Sequence, residues 1–451
     1  MYWVYSLGLA AFFIGGLPVF AAQAVLRHKY RRSLPERLGR VATWTEPAPP
    51  IWLHAVSVGE VMAATPLALE LASRRPDLPL LVSTVTDTGR AVAEQRLPAR
   101  QYVFFPLDFG WAVRPALDRL RPRAVLLTET EIWPNFIRAC GMRGIPVVLI
   151  NGRISPRSFP RYRRVRPLFA KVLQGIGLFC MQTSQDAARI LELGAPEDRV
   201  HVVGNLKFDL AMAGHAGEGL AVRTMLGLPN ARPVLVAGST HRGEEGSVLK
   251  AFQAARRTAA DLVLLLAPRH PERLAEVEGL LAQAGLQWVR RSRLPAPCAP
   301  ACATADRSRQ AGLPAPTADR SRQAGLPVKE LPPVILLDTM GELAKLYAAG
   351  TIVYVGGSLV PIGGHNVLEA AAYARPVLFG PHMGNFAEMA RLFLEQGAGL
   401  QVRDATELGE QIIRLLAEPA AAGRMGEVGR SIVETHRGAS RRTVDLLETV
   451  L

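Results

Sequence analysis

The sequence predicts an α/β protein of two doubly wound domains, each with a parallel sheet covered by helices on both faces. Two observations indicate this fold. Short, almost wholly apolar runs alternate with amphipathic stretches, which is the pattern of βαβ units whose strands are buried on both sides. The pattern occurs twice along the chain, and 451 residues are enough for two separate cores.

The predicted strands are short runs rich in Val, Leu and Ile. In the first domain, residues 27–220, they are 51–57, 78–86, 124–129 and 146–151. In the second domain, residues 221–451, they are 233–239, 261–268, 334–338, 351–357 and 376–380. The stretch 207–229 lacks strand character and is the predicted linker, while 420–451 has a helical pattern and could pack on either domain. Ligands of open α/β sheets bind beyond the carboxyl ends of the strands, so we expect an active site in the cleft between the domains.

The N-terminus predicts a membrane anchor. Residues 1–26 contain no charged side chain, and as a helix they would extend roughly 35–40 Å, enough to cross a hydrocarbon core of about 30 Å. The basic cluster at 27–32 then places the following domains on the cytoplasmic side. No basic residue precedes the run, unlike in a cleaved signal peptide. A buried or interfacial helix is the alternative, because Gly15, Gly16 and Pro18 interrupt the run.

The composition is that of a globular protein with a basic surface. Hydrophobic residues make up 49% of the chain and charged residues 20%, and the formal net charge is +14. Such an excess attracts anionic partners, whether nucleic acids, acidic lipid headgroups or phosphorylated substrates. The Arg-rich stretch 151–166 suits lipid phosphates or a bilayer surface, with a solvated helix face as the alternative. Four cysteines are too few for a disulfide framework, and none has the partners of a zinc site.

Residues 292–333 interrupt the second domain. The segment TADRSRQAGLP occurs twice there, at 304–314 and at 317–327, between flanks rich in Pro and Ala. This composition offers little apolar surface to bury, so we predict a disordered surface loop.

Carboxylates follow two predicted strands of the first domain. Glu60, in HAVSVGE, falls in the first turn of a helix, where it could act as a general base or simply complement the helix dipole. Glu129 and Glu131, in TETEIWPN, suit a reactive cleft or a helix N-terminus equally well. Lys207, in GNLKFD, could stabilise negative charge on a leaving phosphate, although a lone lysine is commonly solvated.

Four motifs follow strands of the second domain: GSTHRGEE, APRHPER, DTMGEL and GGSLVPIGGHNVLEAA. They supply small-residue turns, helix N-termini suited to anions, and Arg269 just past a strand. Glu369 lies in the first turn of a helix, where a glutamate near a nucleotide accepts hydrogen bonds from ribose. None of the motifs is a Walker sequence or a GxGxxG fingerprint.

Taken in order and spacing, HAVSVGE, TETEIWPN, NGRIS, GNLKFD, APRHPER, DTMGEL and VGGSLVPIGGHNVLEAA resemble the motifs of the 3-deoxy-D-manno-octulosonic acid (Kdo) transferases of lipopolysaccharide synthesis. The likeness extends from the anchor to about Asn385. It implies the glycosyltransferase B fold, with two Rossmann-like domains facing a cleft, at the cytoplasmic face of the bacterial inner membrane. It also implies inverting transfer of Kdo from CMP-Kdo to a lipid A precursor, with no metal or other cofactor. We expect no nucleic-acid partner, because the sequence contains no recognised nucleic-acid-binding module.

The resemblance further implies the roles of individual residues. Glu60 is the expected catalytic base, and Glu131 and Lys207 are the expected stabilisers of the transition state. The expected contacts to the CMP moiety are Pro268, Arg269, Met340, Gly341, Glu342, Asn366, Val367, Leu368 and Glu369. The insertion at 292–333 departs from the family pattern.

Two other functions remain open. A sugar-nucleotide epimerase of the same fold would need no lipid, and the predicted anchor argues against it. A non-catalytic basic protein of the membrane surface would not need Glu60 or the full set of CMP motifs.

Overall fold

The computed structural model describes residues 2–26, 33–210, 218–294 and 331–451, and the chain divides into two compact units. Unit 1 comprises Met1–Leu210 and His436–Leu451, and unit 2 comprises Ala211–Thr435. The sequence pattern predicts that all of 221–451 belongs to the second domain. Instead, the last helix packs on unit 1, where the Asp209 carboxylate accepts hydrogen bonds from the backbone N–H groups of Gly438 at 2.7 Å and Ser440 at 2.6 Å.

Unit 1 is built on a parallel sheet. Its described strands are β1 (Ile51–His54), β2 (Leu80–Thr84), β3 (Ala99–Phe104), β4 (Ala124–Thr128), β5 (Val147–Gly152), β6 (Leu178–Met181) and β7 (Val200–Val202), in the spatial order β3-β2-β1-β4-β5-β6-β7. Its described helices are α1 (Tyr2–Leu26), α2 (Leu34–Arg37), α3 (Val58–Arg74), α4 (Asp87–Arg96), α5 (Gly110–Leu120), α6 (Pro134–Gly141), α7 (Phe159–Arg164), α8 (Arg166–Leu173), α9 (Ser184–Glu192) and, from the C-terminus, α18 (Ala439–Leu447).

Unit 2 repeats this plan. Its described strands are β8 (Val234–Thr240), β9 (Val263–Pro268), β10 (Trp288–Arg290), β11 (Val334–Leu336), β12 (Ile352–Val355), β13 (Val377–Phe379) and β14 (Gly399–Gln401), in the spatial order β10-β11-β9-β8-β12-β13-β14. Its described helices are α10 (Glu218–Met225), α11 (Glu245–Arg256), α12 (Leu274–Gln283), α13 (Leu343–Leu346), α14 (Leu368–Ala371), α15 (Ala387–Gln396), α16 (Ala405–Ala417) and α17 (Pro419–His436). The predicted linker thus contains a helix, α10.

The central strands form because their residues are apolar on both faces, and every residue of β1, β2, β4 and β5 is buried. Two hydrophobic clusters cover the two faces of the unit 1 sheet, and a third packs on the sheet of unit 2. All registered strand pairs are parallel. In the order given above, the direction of the chain across the sheet reverses between β1 and β4 in unit 1 and between β8 and β12 in unit 2. Open α/β sheets bind ligands at such reversals.

Helix α1 corresponds to the predicted anchor. Its first turns pack against α6, since the Asn135 amide donates to the Ser6 hydroxyl at 3.0 Å and the Arg138 guanidinium lies 4.6 Å from the centre of the Tyr2 ring. Its exposed face includes Trp3 and Leu7, which are 81% and 68% accessible. Within the described part of the chain, no helix meets both the length and the hydropathy expected of a membrane crossing. The predicted loop at 292–333 lies almost entirely outside the described residues.

Candidate active site

Glu60 lies at the reversal point of unit 1. It occupies the first turn of α3, just after β1, and its Oε2 accepts hydrogen bonds from the Val56 N–H at 2.9 Å and from the Thr128 hydroxyl at 2.6 Å. The Ser57 hydroxyl donates to Oε1 at 3.2 Å. The Val56 contact serves the start of the helix, whereas Thr128 ends β4 and belongs to the neighbouring strand. Glu60 therefore has a fixed orientation over the strand ends, beyond what helix capping requires.

Glu131 lies in the turn between β4 and α6 and interacts electrostatically with Glu60. Burial raises the pKa of Glu131 to about 7, and the negative charges of Glu60 and Glu129 add to the rise. A carboxyl group with a pKa near neutrality can change its protonation state during a reaction at physiological pH. The structure thus brings two of the predicted catalytic residues together, in different electrostatic settings.

Lys207 is held in a 3₁₀ turn, Leu206–Leu210, near the same strand ends. Its Nζ lies 3.9 Å from Oε1 of Glu129, the residue that follows β4. The turn is fixed by Asn151, at the end of β5, whose Oδ1 accepts a hydrogen bond from the Leu206 N–H at 3.0 Å. Glu129 and Asn151 both have positive φ angles, +52° and +51°, so the backbone is strained at both strand ends. Such strain is typical of functional sites.

The predicted CMP contacts all lie in unit 2, at or beyond strand ends. Pro268 is the last residue of β9, and Arg269 follows with its N–H bonded to the Thr240 carbonyl at 2.9 Å and its side chain exposed. The Arg269 guanidinium is therefore available to an anion at the end of β8 and β9.

The segment Met340–Glu342 follows β11. Met340 is 70% exposed and Gly341 has a φ angle of +82°, so this is a tight, accessible turn. The Glu342 carboxylate lies 3.5 Å from Nε of Arg291 and accepts a hydrogen bond from Thr339. These contacts fix the turn relative to the 3₁₀ helix Arg291–Arg293.

The segment Asn366–Glu369 leads into α14. Asn366 caps the segment: its Oδ1 accepts from the Leu368 N–H at 3.1 Å and its Nδ2 donates to Glu369 at 3.3 Å. Val367 and Leu368 are fully buried, so their side chains pack in the core. Any contact of these two residues with a ligand is limited to the backbone.

Two residues with contacts suited to a function, Thr128 and Glu244, are not among the site residues predicted from the sequence. Thr128 begins the motif TETEIWPN but is not among the predicted site residues, because its importance comes from a contact with Glu60, 68 residues away. Glu244 is a fully buried carboxylate that binds backbone N–H groups of the loop after β12. The described residues contain no group of three or more His, Cys, Asp or Glu side chains placed to hold a metal ion. The expected independence from metal stays a prediction.

This chain is similar to known proteins both in sequence and in fold. A family model described as 3-Deoxy-D-manno-octulosonic-acid transferase (kdotransferase) matches residues 32–210. The chain is 36% identical over 432 residues to the 3-deoxy-D-manno-octulosonic acid transferase of Bordetella pertussis, covering 92% of this chain and 91% of the relative. It is 33% identical over 427 residues to the enzyme of the same name from Haemophilus influenzae, covering 94% and 92%.

Among solved structures, UDP-GlcNAc 2-epimerase from Neisseria meningitidis, bound to UDP-GlcNAc, matches with a TM-score of 0.54 and 14% identity. The match covers 89% of this chain and 100% of the epimerase. At this identity the likeness concerns the fold alone, which is the two-unit α/β arrangement expected of glycosyltransferases of the B type.

Proposed function

The chain belongs to the 3-deoxy-D-manno-octulosonic acid transferase family of glycosyltransferases, and on that basis we propose that it transfers Kdo from CMP-Kdo to a lipid A precursor in lipopolysaccharide core synthesis. The observation that carries the chemistry is the Glu60 carboxylate, fixed by Val56 and Thr128 at the point where ligands bind in this type of sheet. A base in this position can accept a proton from an acceptor hydroxyl.

The reaction we propose is a direct displacement with inversion. Glu60 takes the proton of a sugar hydroxyl on the lipid, and the hydroxyl oxygen forms a bond to the anomeric carbon of Kdo. The bond from that carbon to the phosphate oxygen breaks, and CMP leaves with the electron pair. Ionised Glu131 would stabilise positive charge that develops on the sugar, and Lys207 would offset negative charge on the phosphate.

The donor side of the proposal rests on unit 2. Arg269 would pair with the phosphate, because its exposed guanidinium follows β9. The turn at Met340–Glu342 and the capped segment Asn366–Glu369 would hold the cytidine and ribose, with Val367 and Leu368 contributing backbone groups only. We expect neither a metal nor another cofactor, so transfer should persist in excess EDTA.

We also propose that α1 holds the enzyme at the cytoplasmic face of the inner membrane, where the lipid acceptor lies. Support comes from its exposed apolar side chains and from the exposed arginines of the α7–α8 region, among them Arg157, Arg161 and Arg164. The single crossing expected from residues 1–26 stays a prediction. A cysteine at Trp3 tests it, since an impermeant thiol reagent added to intact spheroplasts labels that site only if the helix crosses.

The alternatives are less well supported. The epimerase likeness extends to the fold alone, whereas the transferase relatives are similar in sequence over more than nine-tenths of the chain. A non-catalytic role leaves the Glu60–Thr128 contact without a purpose.

The deciding experiment incubates the purified full-length protein with CMP-Kdo and tetraacylated lipid A precursor and resolves the lipid products by mass. The expected result is addition of Kdo to the lipid with release of CMP. Hydrolysis of CMP-Kdo without a lipid product, or no reaction, would contradict the proposal.

A further inference from the structure

Two histidines face each other at the reversal point of unit 2. His241 directly follows β8, and His365 lies in the loop between β12 and α14. Their Nε2 atoms are 2.9 Å apart, and their ring planes differ by 10°. β8 and β12 are neighbouring strands, so the His241–His365 pair occupies the position over the sheet where nucleotides bind in open α/β folds.

The surrounding backbone is shaped to hold the pair. One oxygen of the buried Glu244 carboxylate, Oε2, accepts hydrogen bonds from the N–H groups of both His241, at 2.9 Å, and Gly357, at 2.6 Å. The two loops that carry the histidines are thereby joined at one atom. A β-carbon on Gly357 would lie 2.9 Å from Cδ2 of His365, so only glycine leaves room for the ring. Gly357 also has a φ angle of +66°, which glycine adopts without strain.

The distance between the rings limits the pair to one extra proton. At 2.9 Å, one Nε2 must donate its hydrogen to the lone pair of the other. One added proton fits, because it can bind to the free Nδ1 of the donating ring. Both rings then present an Nδ1–H, and one positive charge belongs to the pair. A second added proton would place two N–H groups against each other. The pair is thus a single-proton acceptor.

Without an adjacent anion, the pair is uncharged at neutral pH. Burial lowers the pKa of His241, and burial together with the neighbouring ring and Arg269 lowers the pKa of His365 to about 4. His270, whose ring lies edge-on to His241 at 5.3 Å, also disfavours the charge. Glu244 and Glu245 favour it, but Glu244 is bonded to backbone N–H groups and Glu245 is paired with Arg273 at 2.8 Å. An anion entering here would reverse this balance.

We propose that the His241–His365 pair binds the phosphate of the cytidine nucleotide and takes up one proton from solvent as that anion enters. The inference rests on the proposed function for the identity of the nucleotide. It adds a residue pair that senses phosphate charge to the expected CMP contacts.

The pair then has a defined place in the reaction. The donor phosphate is a diester with one negative charge. When its bond to the anomeric carbon breaks, the electron pair stays on the phosphate oxygen and CMP becomes a dianion. The proton already held by the pair hydrogen-bonds to that oxygen and offsets the new charge. Glu60 separately holds the proton from the acceptor hydroxyl, so the two protons are never shared.

Calorimetry of CMP binding tests the proposal. The full-length protein in detergent is titrated with CMP at pH 7 in two buffers of different ionisation enthalpy, which gives the number of protons taken up per CMP. We expect roughly a few tenths of a proton to one proton for the unaltered protein, because an adjacent anion raises a histidine pKa by about 1–3 units. Linkage then makes the Kd rise by up to about tenfold per pH unit between pH 7 and 8.

Variants separate the pair from other sources of protons. H241Q and H365Q should each lose most of the proton uptake, and any proton change that remains belongs to the CMP phosphate. H382Q, at an exposed histidine of the same unit, should retain the full proton uptake. Cytidine, which lacks the phosphate, should bind without uptake. If a variant fails to fold, ¹⁵N-histidine spectra of the unaltered protein with and without CMP report the same protonation.

Equal uptake in all variants, no uptake in the unaltered protein, or no binding of CMP would overturn the proposal. The pair would then only join the two loops. A protein that transfers Kdo without proton uptake keeps the proposed function and loses this inference. A protein that binds CMP with uptake but transfers no Kdo keeps this inference and loses the proposed function.

Discussion

Replacing Glu60 by Gln tests the catalytic base with little structural disturbance. Oε2 of Glu60 accepts two hydrogen bonds, from Val56 and Thr128, and the carbonyl oxygen of a glutamine can accept both. The amide NH₂ would face the Ser57 hydroxyl, which can turn from donor to acceptor. The geometry is therefore retained, and what is lost is the ability to accept a proton.

The expected loss of turnover is large compared with the expected loss of stability. General base catalysis contributes about 10²–10⁴-fold, which corresponds to about 2.7–5.5 kcal/mol of activation free energy. The folded state loses a helix-dipole interaction of about 0.3–1 kcal/mol, or at most about 4 °C in Tm for a domain of this size. CMP affinity should not change, because the expected nucleotide contacts lie in unit 2.

The assay measures kcat, CMP affinity and Tm on one preparation of each variant. Glu70→Gln is the matched control, since it removes the same charge from the same helix, α3, and should keep turnover normal. Thr128→Val should lower turnover by removing the hydroxyl that fixes Glu60, and Thr128→Ser should restore it. Near-normal turnover in Glu60→Gln with a reduced Tm would refute the reasoning, and the base would then be sought at Glu129 or Glu131.

Three further outcomes are expected. The pKa of Glu131 is raised to about 7 by burial and by the charge of Glu60, so if Glu131 acts ionised, kcat/KM should rise as the pH increases through 7. In Glu131→Gln that limb should disappear, and an unchanged limb would assign it to another group. Arg269→Ala should weaken CMP-Kdo binding by about 1.5–3 kcal/mol, which raises the KM for CMP-Kdo, and should leave the KM for the lipid unchanged. Arg424→Ala, at another exposed arginine of unit 2, is its control, and equal effects on both substrates would remove Arg269 from the donor site. Replacing 295–330 by a short Gly/Ser bridge should leave transfer nearly unchanged, because loop-closure entropy varies slowly with length. Loss of activity in a folded deletion variant would show that the segment has a function.

The sequence pattern predicts the strands in the interior of both sheets but not those at or near the sheet edges. The strands β1, β4, β8 and β9 each begin with a run of apolar residues, which only a sheet covered on both faces accommodates. Four overlooked strands, β3, β7, β10 and β14, contain polar or charged residues, and three of these have only three residues each. Edge strands need less apolar surface, so their pattern resembles that of a loop. β6, with four buried residues, is also absent from the predicted strands, and its length does not explain this, since β1 has four residues too.

The candidate residues could be chosen from the sequence, but the contacts between them could not. Glu60 and Glu131 could be singled out because each follows a predicted strand. The Thr128–Glu60 bond and the His241–His365 pair join residues 68 and 124 positions apart, and no local pattern encodes such a distance. They become visible only when strand order is known, since parallel strands that are neighbours in space are remote in the chain.

The return of the C-terminus to unit 1 has a consequence for biosynthesis. Ala439, Val444 and Leu447 of α18 belong to the same hydrophobic cluster as β1, and Arg74 of α3 pairs with Asp445 at 2.6 Å. Unit 2 is therefore an insertion within unit 1, and the ribosome completes it first. Unit 1 lacks part of its core until α18 has been translated, so a chain stopped before Ala439 would fold unit 2 and leave unit 1, which carries Glu60, incomplete.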